Sequence, residues 1–238
     1  MIPDAFLPLL PILQDHARTA MPNEACGLVV NGKYIPCKNA HEDTAQYFAI
    51  EARDFIKAEK KGPVQLVFHS HIDFASDFSP HDIKSCKRSN VPWLMYAVGA
   101  NSWSYIDPTG NAPYLGRHWA YGIYDCYSLL RDYYKREFAI ELDDYDREEE
   151  FEWTSPEWRM FEKNFQGQGF VDADGPAQRG DMILMQLQAQ FANHVGVMIE
   201  PSRNIFYQHL MGRLSEENIF GGYWAKHTNR LLRHRSMM

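Results

Sequence analysis

Long apolar runs are missing: no stretch approaches the roughly 18 residues that a bilayer-crossing helix requires, so no membrane span is expected. Basic clusters are missing too. Lys and Arg number 24 against 31 Asp and Glu and form no dense run that could track a phosphate backbone, which argues against a nucleic-acid partner. Cysteine is scarce, and Cys26, Cys37, Cys86 and Cys126 form no Cys-x-x-Cys pair, so neither a disulfide framework nor a zinc ribbon is expected and cytoplasmic synthesis fits. The stretch Met1-Ile-Pro-Asp-Ala-Phe-Leu-Pro8 lacks the basic start of a secretory signal and is broken by prolines, so no such signal is expected. What is present is a soluble, globular composition in 238 residues, room for one large domain or two small ones each able to bury a core.

The first half alternates helix and strand signals. Pro11 to Met21 predicts a helix with Ile12, Leu13 and Ala17 on its inner face. Cys26 to Val30, the Asn31-Gly32 turn and Lys33 to Cys37 predict a hairpin, followed by a strand over Gln46 to Ile50 and a helix over Glu51 to Lys61. Trp93 to Val98 and Ser102 to Ile106 predict a second strand pair. Asp107-Pro-Thr-Gly110-Asn-Ala-Pro113 is rich in breakers, so the expected organisation is a domain over 1–108, a linker over 109–113 and a second domain over 114–238.

The chemically specific stretch of that half runs from His69 to Asp82. Val64-Gln-Leu-Val-Phe68 predicts a buried strand leading into His69-Ser-His71, and alternation along it puts both imidazoles on one side. Ser79-Pro80-His81-Asp82 predicts a helix start with Ser79 at the N-cap. Two imidazoles and one carboxylate with a fourth position open match a hydrolytic zinc site, although the last four residues also make a sound helix start with no metal at all.

The pattern His-x-His, seven residues, Ser-x-x-Asp resembles the JAMM motif of the MPN metallopeptidases, and Met21-Pro22-Asn23-Glu24-Ala25-Cys26-Gly27 resembles that family's Pro-x-Glu-x-x-Gly lead-in. The resemblance implies His69, His71 and Asp82 as zinc ligands, Glu24 as general base and Ser79 as a donor to the oxyanion. Ile72 stands where the family often has proline.

In the second half Asp125 is a good N-cap, and Leu129, Leu130, Tyr133 and Tyr134 recur at helical spacing, which puts Cys126 in the first turn of a helix. Helix N-termini favour thiolates, so a lowered pKa and a nucleophilic role are open to Cys126, as is plain packing. Met182 to Leu187 and Asn193 to Ile199 predict strands, with His194 opening the second and Gly196 leaving room beside its imidazole. Asn204 to His209 predicts an adjacent strand carrying a second histidine. Glu141 to Glu152 holds eight acids and one Arg and predicts a solvated helix or insertion, and Lys226 to Arg235 a final strand and frayed tail.

This half resembles the NlpC-type cysteine peptidases over about residues 114 to 238: an Asp-Cys helix start, a Gly-Asp strand, a His-Val-Gly strand and a following polar residue occur in order. The resemblance implies a papain-like α+β fold with Cys126 as nucleophile, His194 as base and His209 as orienting residue, Gln208 being a rival for that last role. Tyr127 replaces the small residue that often follows the cysteine. An MPN-like mixed α/β zinc domain followed by an NlpC-type domain, with Asp125-Cys-Tyr-Ser-Leu-Leu-Arg-Asp-Tyr-Tyr134 and Gly221-Gly-Tyr-Trp224, resembles the tail tip assembly peptidases of long-tailed bacteriophages. That implies other tail tip proteins as partners, a peptidoglycan stem peptide or protein as substrate, and a place in the host cytoplasm during assembly or in the virion tail tip. Three classes stay open at this point: a two-site hydrolase, a virion structural protein with one or both sites inactive, and an NlpC-type amidase or acyltransferase.

Overall fold

In the computed structural model, which describes residues 2–74, 77–145, 147 and 159–238, the chain divides into two compact units, Met1–Asn111 and Ala112–Met238. Both mix helices with mainly antiparallel strands, an α+β architecture. Among the described residues no helix is long and apolar enough to cross a membrane.

The first unit begins with a 3-10 turn, Asp4–Leu9, and helix α1, Leu10–Ala20. Of the expected inner face, Leu13 and Ala17 are buried but Ile12 is 53% exposed, so the apolar stripe is narrower than the sequence suggests. Strands β1 (Cys26–Val30) and β2 (Lys33–Cys37) form a hairpin whose turn residues Asn31 and Gly32 both take positive φ, 50° and 69°. That is the backbone a two-residue hairpin turn needs, and Asn and Gly adopt it at least cost. The unit continues through α2 (Ala52–Glu59), β3 (Val64–His71), α3 (Pro80–Ser89), β4 (Trp93–Ala97) and β5 (Ser102–Ile106). The sheet order is β2-β1-β3-β4-β5, with β3 and β4 parallel across the α3 connection. Val29, Leu66, Phe68, Leu94 and Tyr96 pack against Leu13 and Ala17.

The strand expected over Gln46 to Ile50 does not form: only Ile50 makes a bridge, to Asn39. The Asn39 side chain explains this, since its amide donates to the carbonyls of Tyr47 and Glu24 and its oxygen accepts from Ala49 N–H. Backbone groups that a neighbouring strand would pair are taken by one side chain.

The second unit contains α4 (Cys126–Phe138), α5 (Met160–Asn164), β6 (Phe170–Asp172), β7 (Met182–Met185), β8 (His194–Glu200), β9 (Ile205–Gln208), β10 (Glu216–Ile219), α6 (Gly222–Lys226) and β11 (Thr228–His234). Its sheet order is β10-β9-β8-β7-β11-β6, antiparallel throughout. Leu130, Tyr133 and Tyr134 of α4 pack on Met182, Leu184, Val195 and Val197. Within the acidic stretch, residues 141–145 are not helical, so of the expected solvated helix or insertion the helix does not form there; Glu141, Asp143 and Asp144 are exposed while Leu142 and Arg147 are buried at 5% and 3% exposure. Asp146 and residues 148–152 of that stretch lie outside the described residues.

Candidate functional site

In the first unit, alternation along β3 sends His69 and His71 to one side, while Ser70 between them faces the other way. Ser70 joins β3 to the approach of β1: its Oγ accepts from Ala25 N–H at 2.9 Å and its N–H donates to the Ala25 carbonyl at 3.0 Å. Glu24, the next residue back, is held through its own backbone, N–H to Thr44 O at 2.7 Å and carbonyl to Asn39 Nδ2 at 3.1 Å. Its side chain is buried and lies in the field of His71 and of Asp82, Asp73 and Asp43; burial raises its pKa to about 8.

Asp82 comes from the first turn of α3. Ser79 caps that helix reciprocally: Asp82 N–H donates to Ser79 Oγ at 3.2 Å, while Ser79 N–H and Oγ–H donate to Asp82 Oδ2 at 2.9 and 2.6 Å. The Ser79 proton is thus engaged with Asp82. The three side chains converge, with His69 Nε2 3.3 Å from His71 Nε2, His71 Nε2 3.3 Å from Asp82 Oδ2 and His69 Nε2 3.6 Å from Asp82 Oδ1. Ligand bonds of about 2.0–2.1 Å at tetrahedral angles imply edges of about 3.3–3.4 Å, so this donor set fits a zinc-sized cation. His69, His71 and Asp82 form a group able to hold a metal ion. Burial pushes Asp82 upward, but the charge and hydrogen bond of His69 and the hydrogen bonds of His71 and Ser79 outweigh it and hold the carboxyl well below its usual range. Burial pulls His69 the other way, downward, against the raising effect of the Asp82 carboxylate.

In the second unit Asp125 caps α4, its Oδ1 accepting from Ser128 N–H at 2.7 Å. Cys126 is therefore in the first turn, and the N–H groups of Val195 and Tyr127 act on its sulfur to lower the pKa. They do not prevail. The thiol is 3% exposed, and burial, with the Asp125 carboxylate beside it, pushes it up to about 12, so the expected acidification of Cys126 is corrected.

His194 opens β8 beside Val195. Because Gly196 pairs with Gln208, residues 194, 196 and 208 share one face, and His194 Nε2 lies 3.0 Å from Gln208 Oε1. His209, the expected orienting residue, alternates away: its Nε2 donates to the Arg213 carbonyl at 3.0 Å and its ring meets Trp119 edge-on. Of the two candidates for the third position, Gln208 is the one whose side chain hydrogen-bonds His194. Gly196 also differs from expectation. A Cβ there would come within 2.7 Å of Phe206 Cδ2, so the missing side chain makes room for Phe206, not for the imidazole. Burial lowers His194 to about 4. A cavity of 570 Å³ opens onto His194, lined among others by Trp119, Met211, Arg213, Tyr223 and Trp224.

Sequence reading passed over Arg147, whose Nε donates to Asp125 Oδ2 at 2.8 Å. The available signal was one cation among eight acids.

The two units correspond to two family models: residues 8–108 match the prokaryotic homologs of the JAB domain and residues 111–233 the NlpC/P60 family, both peptidase-type families. The tail tip assembly protein K of Escherichia phage N15 is 31% identical over 228 residues, covering 93% of this chain and 92% of its own length. The tail tip assembly protein K of Escherichia phage lambda is 27% identical over 185 residues, 77% of this chain and 88% of its own. With a JAB-like domain, an NlpC/P60 domain and this full-length likeness, the chain belongs to the tail tip assembly protein K family.

Proposed function

We propose that the chain is a phage tail tip assembly hydrolase with two independent sites, a zinc-dependent peptidase in the first domain and a cysteine endopeptidase acting on peptidoglycan stem peptides in the second. Its partners are other tail tip proteins, met in the host cytoplasm during assembly or in the virion tail. The observation that carries the reading is the convergence of His69, His71 and Asp82 to within 3.3–3.6 Å beside buried Glu24.

His69, His71 and Asp82 would hold the zinc, which supplies Lewis-acid polarisation when bound. Glu24 works as a proton carrier. As general base its carboxylate takes a proton from the attacking water and returns it to the departing amine. Ser79 orients Asp82 through the capping pair, donating its hydroxyl proton to Asp82 Oδ2; it reaches an oxyanion only by turning that proton away from Asp82.

In the second site the Cys126 thiol gives its proton to His194 as the sulfur bonds to the substrate carbonyl carbon. The Gln208 acceptor keeps the His194 proton on Nε2 and leaves Nδ1 able to receive it. His194 then protonates the leaving amine, and water hydrolyses the thioester.

Zinc content and cleavage of purified peptidoglycan, measured on wild type, His69→Ala and Cys126→Ala, test both halves. The expected pattern is about one zinc per chain lost only in His69→Ala, and cleavage lost only in Cys126→Ala. Full zinc in His69→Ala, or undiminished cleavage by Cys126→Ala, would reject the corresponding site.

A further inference from the structure

Arg147 is the one cation of an otherwise acidic stretch, yet it is 3% exposed at the start of α4. Its Nε donates to Asp125 Oδ2 at 2.8 Å and its Nη2 to Ser128 Oγ at 2.9 Å, and its guanidinium lies 5.0 Å from the Tyr127 ring centroid. One guanidinium therefore holds the residue before Cys126, the residue after it and the next one on. The remaining nitrogen is tied to Asp144 Oδ1 at 2.9 Å and the Tyr145 carbonyl at 2.6 Å.

We infer that Arg147 is a positioning residue for Cys126, fixing the first turn of α4 and offsetting the Asp125 carboxylate next to the sulfur. The inference rests on the reading of Cys126 as the nucleophile.

Helix capping alone does not call for this arrangement. Ser128 N–H needs one acceptor, which Asn supplies at a cap as Asp does, the second oxygen of Asp125 accepting from Gly122 N–H at 2.9 Å. A carboxylate there adds a negative charge that works against a thiolate one residue away, second only to burial in raising the Cys126 pKa. Arg147 is the side-chain cation that acts in the opposite direction on the same sulfur. The fork shape matters as well as the charge. An ammonium cannot serve Asp125 and Ser128 from two fixed nitrogens while lying over the Tyr127 ring. Tyr127, large where a small residue is common, supplies the aromatic ring beneath the guanidinium.

A brace without electrostatic effect would hold the same contacts, so the test separates charge from bracing. In the full-length chain, alkylation of Cys126 by iodoacetamide is followed against pH by mass mapping of the Cys126 peptide. The sulfur displaces iodide, forming the S–C bond while the thiol proton leaves to solvent. Arg147→Met should slow the reaction at pH 8 about tenfold, one unit of upward pKa displacement. Adding Asp125→Asn should bring the rate back to within about threefold of wild type, because the cap survives and the opposing charge is gone. Asp125→Asn alone should react faster than wild type, and this variant with the double variant carries the comparison if Arg147→Met does not fold. Alkylation of Arg147→Met at the wild-type rate, or a double variant as slow as Arg147→Met, would overturn the inference while leaving Cys126 as nucleophile. A wild-type Cys126 inert at all pH values would remove the nucleophile reading and the inference together.

Discussion

Gln208 Oε1 accepts a hydrogen bond from His194 Nε2 at 3.0 Å, and both side chains project from the same face of adjacent antiparallel strands. The pairing selects the tautomer with Nδ1 free, so Gln208 is expected to matter for rate more than for substrate binding. Gln208→Leu should lower kcat for peptidoglycan cleavage about 10–100-fold with KM little changed, whereas His209→Phe should cost far less. Steady-state kinetics of the two variants decide it, and the reverse ranking would return His209 to the third position.

Glu24 should be dispensable for metal and needed for turnover. It lies outside the three converging ligand atoms, so Glu24→Gln is expected to keep a full zinc equivalent and lose about 100-fold or more of the first site's activity. Elemental analysis beside a peptide-cleavage assay checks this. Loss of the metal in Glu24→Gln would make Glu24 a ligand.

The second domain should lose stability as pH falls from about 6.5 toward 4. His194 and His209 are both buried and both lowered to about 4 by that burial, so between about 4 and the unfolded value near 6.5 the unfolded chain binds protons that the folded one refuses. Stability is full above that window and declines on acidification through it. Urea unfolding of the second domain at pH 7 and pH 5 measures the difference, expected to be on the order of a few kcal/mol. Equal midpoints would mean that both rings are solvated in solution.

Where the second domain is cut should decide whether it stands alone. Arg117 is 2% exposed; it donates to the carbonyls of Pro113 and Ala112 and forms an ion pair with Asp132, while Arg136 also donates to Ala112 O. Residues 112–238 are expected to fold and cleave, and residues 114–238 to be less stable by about 1–3 kcal/mol, because a buried guanidinium loses its carbonyl partners. Thermal melting of the two fragments is the measurement. Identical melting would show that the Ala112 and Pro113 carbonyls contribute nothing.

What the sequence makes legible is what local rules determine. His69 and His71 share a side because β-strands alternate, and Ser79 with Asp82 is a capping pair three residues apart, so each ligand is readable within its own element. Gln208 against His209 could not be resolved that way, because the choice depends on which residue faces Gly196 across two strands. Arg147 was hidden for a related reason. Its partner Asp125 lies 22 positions earlier, and local composition speaks for solvent exposure. The lost strand at Gln46 to Ile50 shows the converse: β-propensity was present, but the Asn39 side chain took the hydrogen bonds first.

The double link between Ser70 and Ala25 means that Glu24 is located by main-chain geometry. Its position can therefore drift in chemistry without drifting in architecture: Glu24→Asp would draw the carboxyl back by one methylene and leave every strand pairing untouched. A lineage under selection only for building tails could silence this carboxylate and still deliver a correctly folded part. Melting curves would not register the loss, and a turnover assay would.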